Sequence, residues 1–397
     1  MEMDLITAFL FMILAFAIGD FISTITNAFV PSLFVAAVIF LVGFWTFWPK
    51  DIANIAGFSS PLMSLATYLI LVNMGTSISV KQLIASWKTV VLALAAMAGL
   101  TAVILLIGGP IIGREATLVA SPVLAGGIMA SIIMSKAAEA KGLMDLATLS
   151  ALVLVAQGFV GYPLTSLALR KEGTRLIEKF RGASDEEKKK LLAVDDGSDG
   201  KAPAGSKSIV PEKFRTDSTY LLQTGILAFV AIKLAGLTNG TVPATIACLI
   251  AGVLGTEFGF VDAKPVNKAN SMGFITIINL VLALNGLGNA TPEMLQGLVV
   301  PLLVVIVTGV TGLALVAIPV GKAFGYSPAY AIALGLNCLL GFPPNMIITN
   351  DVARALGKDK VEEGYLNEAM LPNMLIAGFV TVSIGSVVLA SIFAKML

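Results

Sequence analysis

The sequence predicts an all-α integral membrane protein: two inverted repeats of five transmembrane helices, each with a broken or re-entrant helical segment. Composition is the first observation behind this. Of 397 residues, 57% are hydrophobic and 13% charged, about half the charge of an ordinary soluble domain, and the mean hydropathy is +0.91. Charge is also concentrated, because residues 170 to 217 hold 12 of the 26 Lys+Arg and 10 of the 25 Asp+Glu. The second observation is a series of apolar runs. They fall near 4 to 22, 30 to 48, 61 to 78, 87 to 109, 117 to 134 and 146 to 168, then near 219 to 237, 242 to 258, 272 to 285, 298 to 320, 326 to 350 and 369 to 394. A helix crosses the hydrocarbon layer in roughly 20 residues, and these runs lack the alternation of barrel strands. The third observation is self-similarity. A displacement of 212 residues superposes Val30-Pro31 on Val242-Pro243, Gly43 on Gly255, Asn73 on Asn285, Leu83 on Leu295, Gly109 on Gly321 and Gly113 on Gly325. Gly-Phe-Val at 158 to 160 also recurs at 378 to 380, so the chain reads as a duplicated fold.

Composition excludes several kinds of chemistry. With no histidine there is no His-ligated zinc, no haem on a proximal His and no Ser-His-Asp triad. Cys248 and Cys338 both lie in apolar runs and read as small core residues. A net charge of +1, without a basic stripe carrying aromatics, offers nucleic acid no partner surface. The start of the chain, Met-Glu-Met-Asp before an apolar run, reads as a retained membrane helix. Paired carboxylates, a metal set or an activated nucleophile at membrane depth are not found, so an enzyme is not expected.

Residues 1–169 form the expected first repeat and 218–397 the second, joined by a cytoplasmic linker at 170–217. In the linker, Asp185-Glu-Glu-Lys-Lys-Lys190 suggests a short amphipathic helix, and the Gly/Ser/Asp stretch at 195 to 206 suggests a loop. The positive-inside rule puts the linker's basic residues in the cytoplasm. If the fifth run of each half dips in and returns, each half crosses five times. The two halves are then inverted, both termini face outward, and Lys81, Lys88, Arg354, Lys358 and Lys360 become cytoplasmic. A broken helix that crosses fully is the alternative.

The fifth runs are where chemistry is expected. Pro122 and Gly126-Gly127 interrupt the first, and Pro343-Pro344 stops one helix and starts another in the second. Irregular backbone at membrane depth survives only inside protein or beside a water-filled cavity. Half-helices aim free N–H groups at such a place, which attracts a carboxylate, while their carbonyl ends attract Na⁺. Gly127, Ser131 and Ser135 are four apart, as are Asn345 and Thr349, so each set shares a helix face. Gly126, Gly127, Ser131, Ser135, Asn337, Asn345 and Thr349 are therefore candidates for holding substrate, against close helix packing as the plainer reading. For the cation, the repeat-related amides Asn73 and Asn285, together with Gln157, offer neutral oxygens, while Glu139, Asn350 and Asp351 follow the two breaks. Interhelical hydrogen bonds and interfacial helix ends are the alternatives. Asp20 and Lys233 are expected to reach separate interfaces. Cys338, beside Asn337, is expected to meet a cavity.

Local matches accompany this order of elements: Ser60-Pro-Leu-Met63 opening the third run, Ser135-Lys136 with Glu139 after the first break, and Pro344 with Asn350 after the second. With them the chain resembles the bacterial sodium/glutamate symporter family. The family's Gly-Gly signature stands here as Gly126-Gly127, without the His and Thr that accompany it there. The resemblance implies an elevator-like carrier of the wider group containing bile-acid symporters and cation/proton antiporters, often dimeric, in a bacterial inner membrane. The expected activity is Na⁺-coupled uptake of a small organic anion such as an acidic amino acid. A cation/proton antiporter using Asp351 is the alternative, and a non-transporting structural membrane protein is the alternative of another class.

Overall fold

The computed structural model describes residues 3–76, 86–194, 209–238, 242, 244–289 and 292–397. Every regular element among them is helical. Lipid offers no partner to an open backbone group, and a helix satisfies its groups within itself. Among the described residues, six helices are long and apolar enough to cross a membrane. They are α1 (Leu5–Ile25), α4 (Trp87–Ile112), α7 (Met144–Gly182), α9 (Asp217–Leu237), α12 (Pro292–Phe324) and α15 (Lys360–Met396). The chain is thus a multi-pass membrane protein.

Shorter apolar helices occupy most of the other runs: α2 (Ser32–Thr46), α3 (Ser60–Gly75), α10 (Ala244–Glu257) and α11 (Met272–Asn285). Each fifth run becomes two helices, α5 (Arg114–Leu124) with α6 (Ile128–Ala140), and α13 (Pro328–Leu340) with α14 (Pro344–Leu356). Pro122 lies inside α5 and does not interrupt it; the break comes at residues 125 to 127, where two glycines replace side chains that would hold the helix. In the linker, α8 (Asp185–Val194) matches the expected amphipathic helix, while the loop expected at 195 to 206 lies outside the described residues. The last run of the first half does not stop at 168, because α7 continues through Arg170 to Gly182.

The chain divides into two compact units, each drawing on both sequence halves. The first holds residues 53–87 and 182–283. Here α3 and α10 touch backbone to backbone: a Cβ on Gly75 would stand 2.1 Å from the Leu249 carbonyl oxygen, and one on Gly252 2.1 Å from that of Val72. Two glycines let these helices approach closer than any side chain allows. Thr67 on α3 donates to Asn279 Oδ1 on α11 at 3.0 Å, and these two residues stand at the repeat spacing of 212.

The second unit holds residues 6–52, 88–181 and 284–397. Its α4 and α12 cross at another glycine pair, with a Cβ on Gly99 falling 2.6 Å from the Gly312 carbonyl oxygen. The ends of these two helices also correspond. Gly113 (φ +89°) and Gly325 (φ +87°), again 212 apart, turn the chain from the long helix into the broken segment. Only glycine adopts that conformation freely. Ser327 caps α13 by accepting from the Tyr330 N–H at 3.1 Å, with Pro328 in the first turn.

Candidate functional site

Both breaks lie in the second unit, and α15 brings them together. In the first, Gly127 adopts φ +77° and ψ −142°, after which α6 begins with Ser131 N–H donating to the Gly127 carbonyl at 3.0 Å. The N–H groups of Ile128, Met129 and Ala130 precede that bond and have no acceptor among the described residues. In the second, Gly341 (φ +65°) ends α13 and Pro343 precedes α14. Residues Val380–Gly385 of α15 are wound as a π-helix, and such bulges are frequent at functional sites. Val382 of this stretch touches both breaks, its Cγ1 standing 3.9 Å from a Cβ built on Gly127 and 3.2 Å from one built on Gly341. Ser386, one turn on, fills the space beside Gly126, whose Cβ would fall 1.7 Å from that of Ser386.

Gln157 on α7 completes the crossing. Its Nε2 lies 3.7 Å from a Cβ on Gly127, and its Oε1 is buried without a hydrogen-bond partner. An unpaired buried amide oxygen costs about 1–3 kcal/mol, which makes it a marked feature of a site rich in satisfied groups. Gln157 is 6% exposed and Asn337 and Asn345 are fully buried, whereas Ile128 and Met129 at the start of α6 are exposed. An open cavity of about 530 Å³, lined by Arg114, Glu115, Met144 and Asp145, lies at the entries of α5 and α7. The 11 residues of α5 separate it from the break by roughly 16 Å.

The remaining candidate residues divide by their partners. Asn345 Nδ2 donates to Asn337 Oδ1 at 3.0 Å and to the Met374 carbonyl at 2.9 Å, so the two asparagines stitch both sides of the second break to α15. A Cβ on Gly378 would come within 2.5 Å of Asn345 Nδ2, which explains the glycine there. Thr349 donates to the Asn345 carbonyl within its own helix. Ser131 pairs with Ser150 at 3.0 Å and Ser135 donates to the Ala147 carbonyl at 3.3 Å, so both serines face α7. Cys338 is fully buried and does not meet an open cavity, because α15 covers it.

Among the cation candidates, Asn73 belongs to the first unit, where its amide donates to Asn267 Oδ1 at 3.1 Å and accepts from Val266 N–H at 2.9 Å. It thereby holds the turn before α11. The side chain of Asn285 is outside the described residues. Glu139 is exposed at the end of α6, and Asn350 is half-buried. Asp351 is different: 6% exposed, it accepts at Oδ2 from the Ser32 N–H at 3.2 Å and from the Ser32 hydroxyl. It thus caps the start of α2, where the helix dipole favours a carboxylate. Sequence reasoning missed Ser32, Ser150, Val382 and Ser386, which carry no motif. Compared with protein-family models and with curated proteins, the chain matches none.

Proposed function

We propose that the chain is a secondary active transporter, elevator-like in action, that couples inward Na⁺ flow to uptake of a small organic anion such as an acidic amino acid or another carboxylate. The observation that carries this reading is the meeting of two helix breaks at Val382, beside Gln157 with its unpaired oxygen. Three free N–H groups at the start of α6 present partial positive charge that suits a carboxylate, and Gln157 adds an acceptor for the solute's other polar groups. Binding there would supply the partner that the buried Gln157 oxygen lacks, which is where affinity would come from. Inverted repeats are supported by Gly113 and Gly325, which share a positive φ, and by the Thr67 to Asn279 contact. Two-fold-related contacts of this kind are expected where repeats face each other. No nucleotide-binding loop precedes a helix, so the drive is taken as an ion gradient.

Flux into proteoliposomes tests the reading. Uptake from a panel of labelled small carboxylates should require an inward Na⁺ gradient. A protein that moves none of them, and whose melting temperature no carboxylate raises, would be a structural membrane protein. A second reading, a cation/proton antiporter, is favoured by the burial of Asp351. It requires cation movement driven by a pH gradient alone and abolished in Asp351→Asn.

A further inference from the structure

We propose that Asp20, Ser23 and Asp351 form a binding site for one monovalent cation, separate from the crossing of the breaks. The proposal rests on the transporter reading only in giving that cation a coupling role. Asp351 Oδ2 is taken up by Ser32, and Oδ1 accepts no hydrogen bond among the described residues. A cavity of about 50 Å³ adjoins it, lined by Asp20, Ser23, Thr24, Asp351, Arg354 and Ala355. Ser23 supplies an independent observation. It is 5% exposed, yet its hydroxyl makes no hydrogen bond among the described residues, whereas its neighbours Thr24 and Thr26 both donate back to the carbonyl four residues earlier at 2.8 Å. A mid-helix hydroxyl normally takes that carbonyl, so a buried one that does not is an oxygen left for another partner.

Size and charge select the ligand. A water molecule occupies about 30 Å³ of liquid, so the cavity fits one or two small species and excludes an organic solute. Two carboxylates against Arg354 leave one net negative charge, which a monovalent cation neutralises. Carboxylate and hydroxyl oxygens are the ligands that hard cations prefer. Asp20 and Arg354 are the charged groups that act on Asp351, Asp20 from α1 and Arg354 from its own helix. A cation held there would join α1 to α14, the half-helix that starts from the second break, so its binding would bear on the geometry of that break. The ion is Na⁺, and protonation of the carboxylates in its place is an outcome of the experiment.

The test uses the full chain purified in detergent, with no organic solute, followed by tryptophan fluorescence on heating. NaCl is titrated against choline chloride at constant ionic strength and pH 8, and the pH is then varied without Na⁺. A saturable rise in Tm with Na⁺ identifies Na⁺. A rise on acidification that Na⁺ does not alter overturns the site, because protonation of the carboxylates then accounts for it. Asp351→Asn and Asp20→Asn should weaken the apparent Na⁺ affinity at least tenfold and Ser23→Ala severalfold. Ser32→Ala, which removes the cap but no cavity oxygen, should lower Tm at every concentration and keep the cation response. If Asp351→Asn does not fold, Asp20→Asn and Ser23→Ala carry the comparison. A wild-type Tm indifferent to Na⁺, or a Na⁺ response that survives in these variants, overturns the site. Solute flux is read separately: its absence beside an intact cation response defeats the transporter reading and leaves the site standing.

Discussion

Replacing Gly126 by alanine should separate packing from backbone conformation at the first break. A methyl group there would sit 1.7 Å from Ser386 Cβ and 1.9 Å from its Oγ, where non-bonded carbons settle at about 3.5–4.0 Å. The Cβ of Ser386 cannot rotate away, so α15 must retreat by about 2 Å from the break it covers. Overpacking typically costs 1–3 kcal/mol, and a forced backbone shift puts Gly126→Ala near 3 kcal/mol. Ser386→Gly removes the obstacle and leaves only its own Cα at 3.2 Å. Alone it should cost about 2 kcal/mol, from a helix glycine and from the hydroxyl's bond to the Val382 carbonyl at 2.8 Å. The double variant should therefore fall well short of the sum, with a coupling of about 2 kcal/mol. Gly127→Ala makes the contrast, since its methyl group would have room, the nearest atom being 3.7 Å away, while its φ of +77° strains any L-residue. That strain is worth about 1–3 kcal/mol and has no remedy at residue 386. Unfolding free energies in mixed micelles, measured by SDS titration, decide the matter. Failure of Ser386→Gly to relieve Gly126→Ala, or equal relief of Gly127→Ala, would refute the account.

Gln157→Leu should stabilise the solute-free protein by about 1 kcal/mol, because it deletes an unpaired buried oxygen, while abolishing any rise in Tm given by a transported carboxylate; a loss of stability would mean that the amide has a partner. Arg181 grips Glu362 through two bonds of 2.9 and 2.6 Å with 36% and 11% of the side chains exposed. Discounted for solvent screening, an Arg181→Ala and Glu362→Ala double-mutant cycle should give a coupling of about 1 kcal/mol that shrinks in 1 M salt. Cys248 and Cys338 are fully buried, so a water-soluble maleimide should label neither in the folded protein and both after denaturation. Labelling of Cys338 that a carboxylate then suppresses would show that α15 withdraws from the second break. A reporter active only in the cytoplasm should give signal when placed in the linker and none at either terminus; signal from the C-terminus would mean an even number of crossings in the second half.

Much of the fold was legible because the bilayer makes the helix obligatory: where lipid cannot satisfy a peptide group, an apolar run of sufficient length has one outcome. The breaks were legible for the complementary reason. Gly126-Gly127 and Pro343-Pro344 are residues that end helices by their own stereochemistry, although Pro122 shows the limit, since its place within α5 was decided by the turn around it. What the sequence hid is the pairing. Ser32 and Asp351 are 319 residues apart, and an aspartate opening a charged stretch reads as an interfacial helix end until α2 is seen to start on it. The same holds for Ser23, which looks like any helical serine until the carbonyl that it should take is found to be left alone. The partners of Asn73 were equally hidden, since nothing in its match to Asn285 shows that its amide bonds Val266 and Asn267. The 212-residue displacement recurs in matching turns, while side-chain partners show only in the fold. Gly113 and Gly325 share a positive φ because each turns the chain from a long helix into a broken segment. The polar groups around the two breaks differ. The second break acquired Asn337, Asn345 and the buried Asp351, while the first has Gln157 beside Gly127 and serines that face α7.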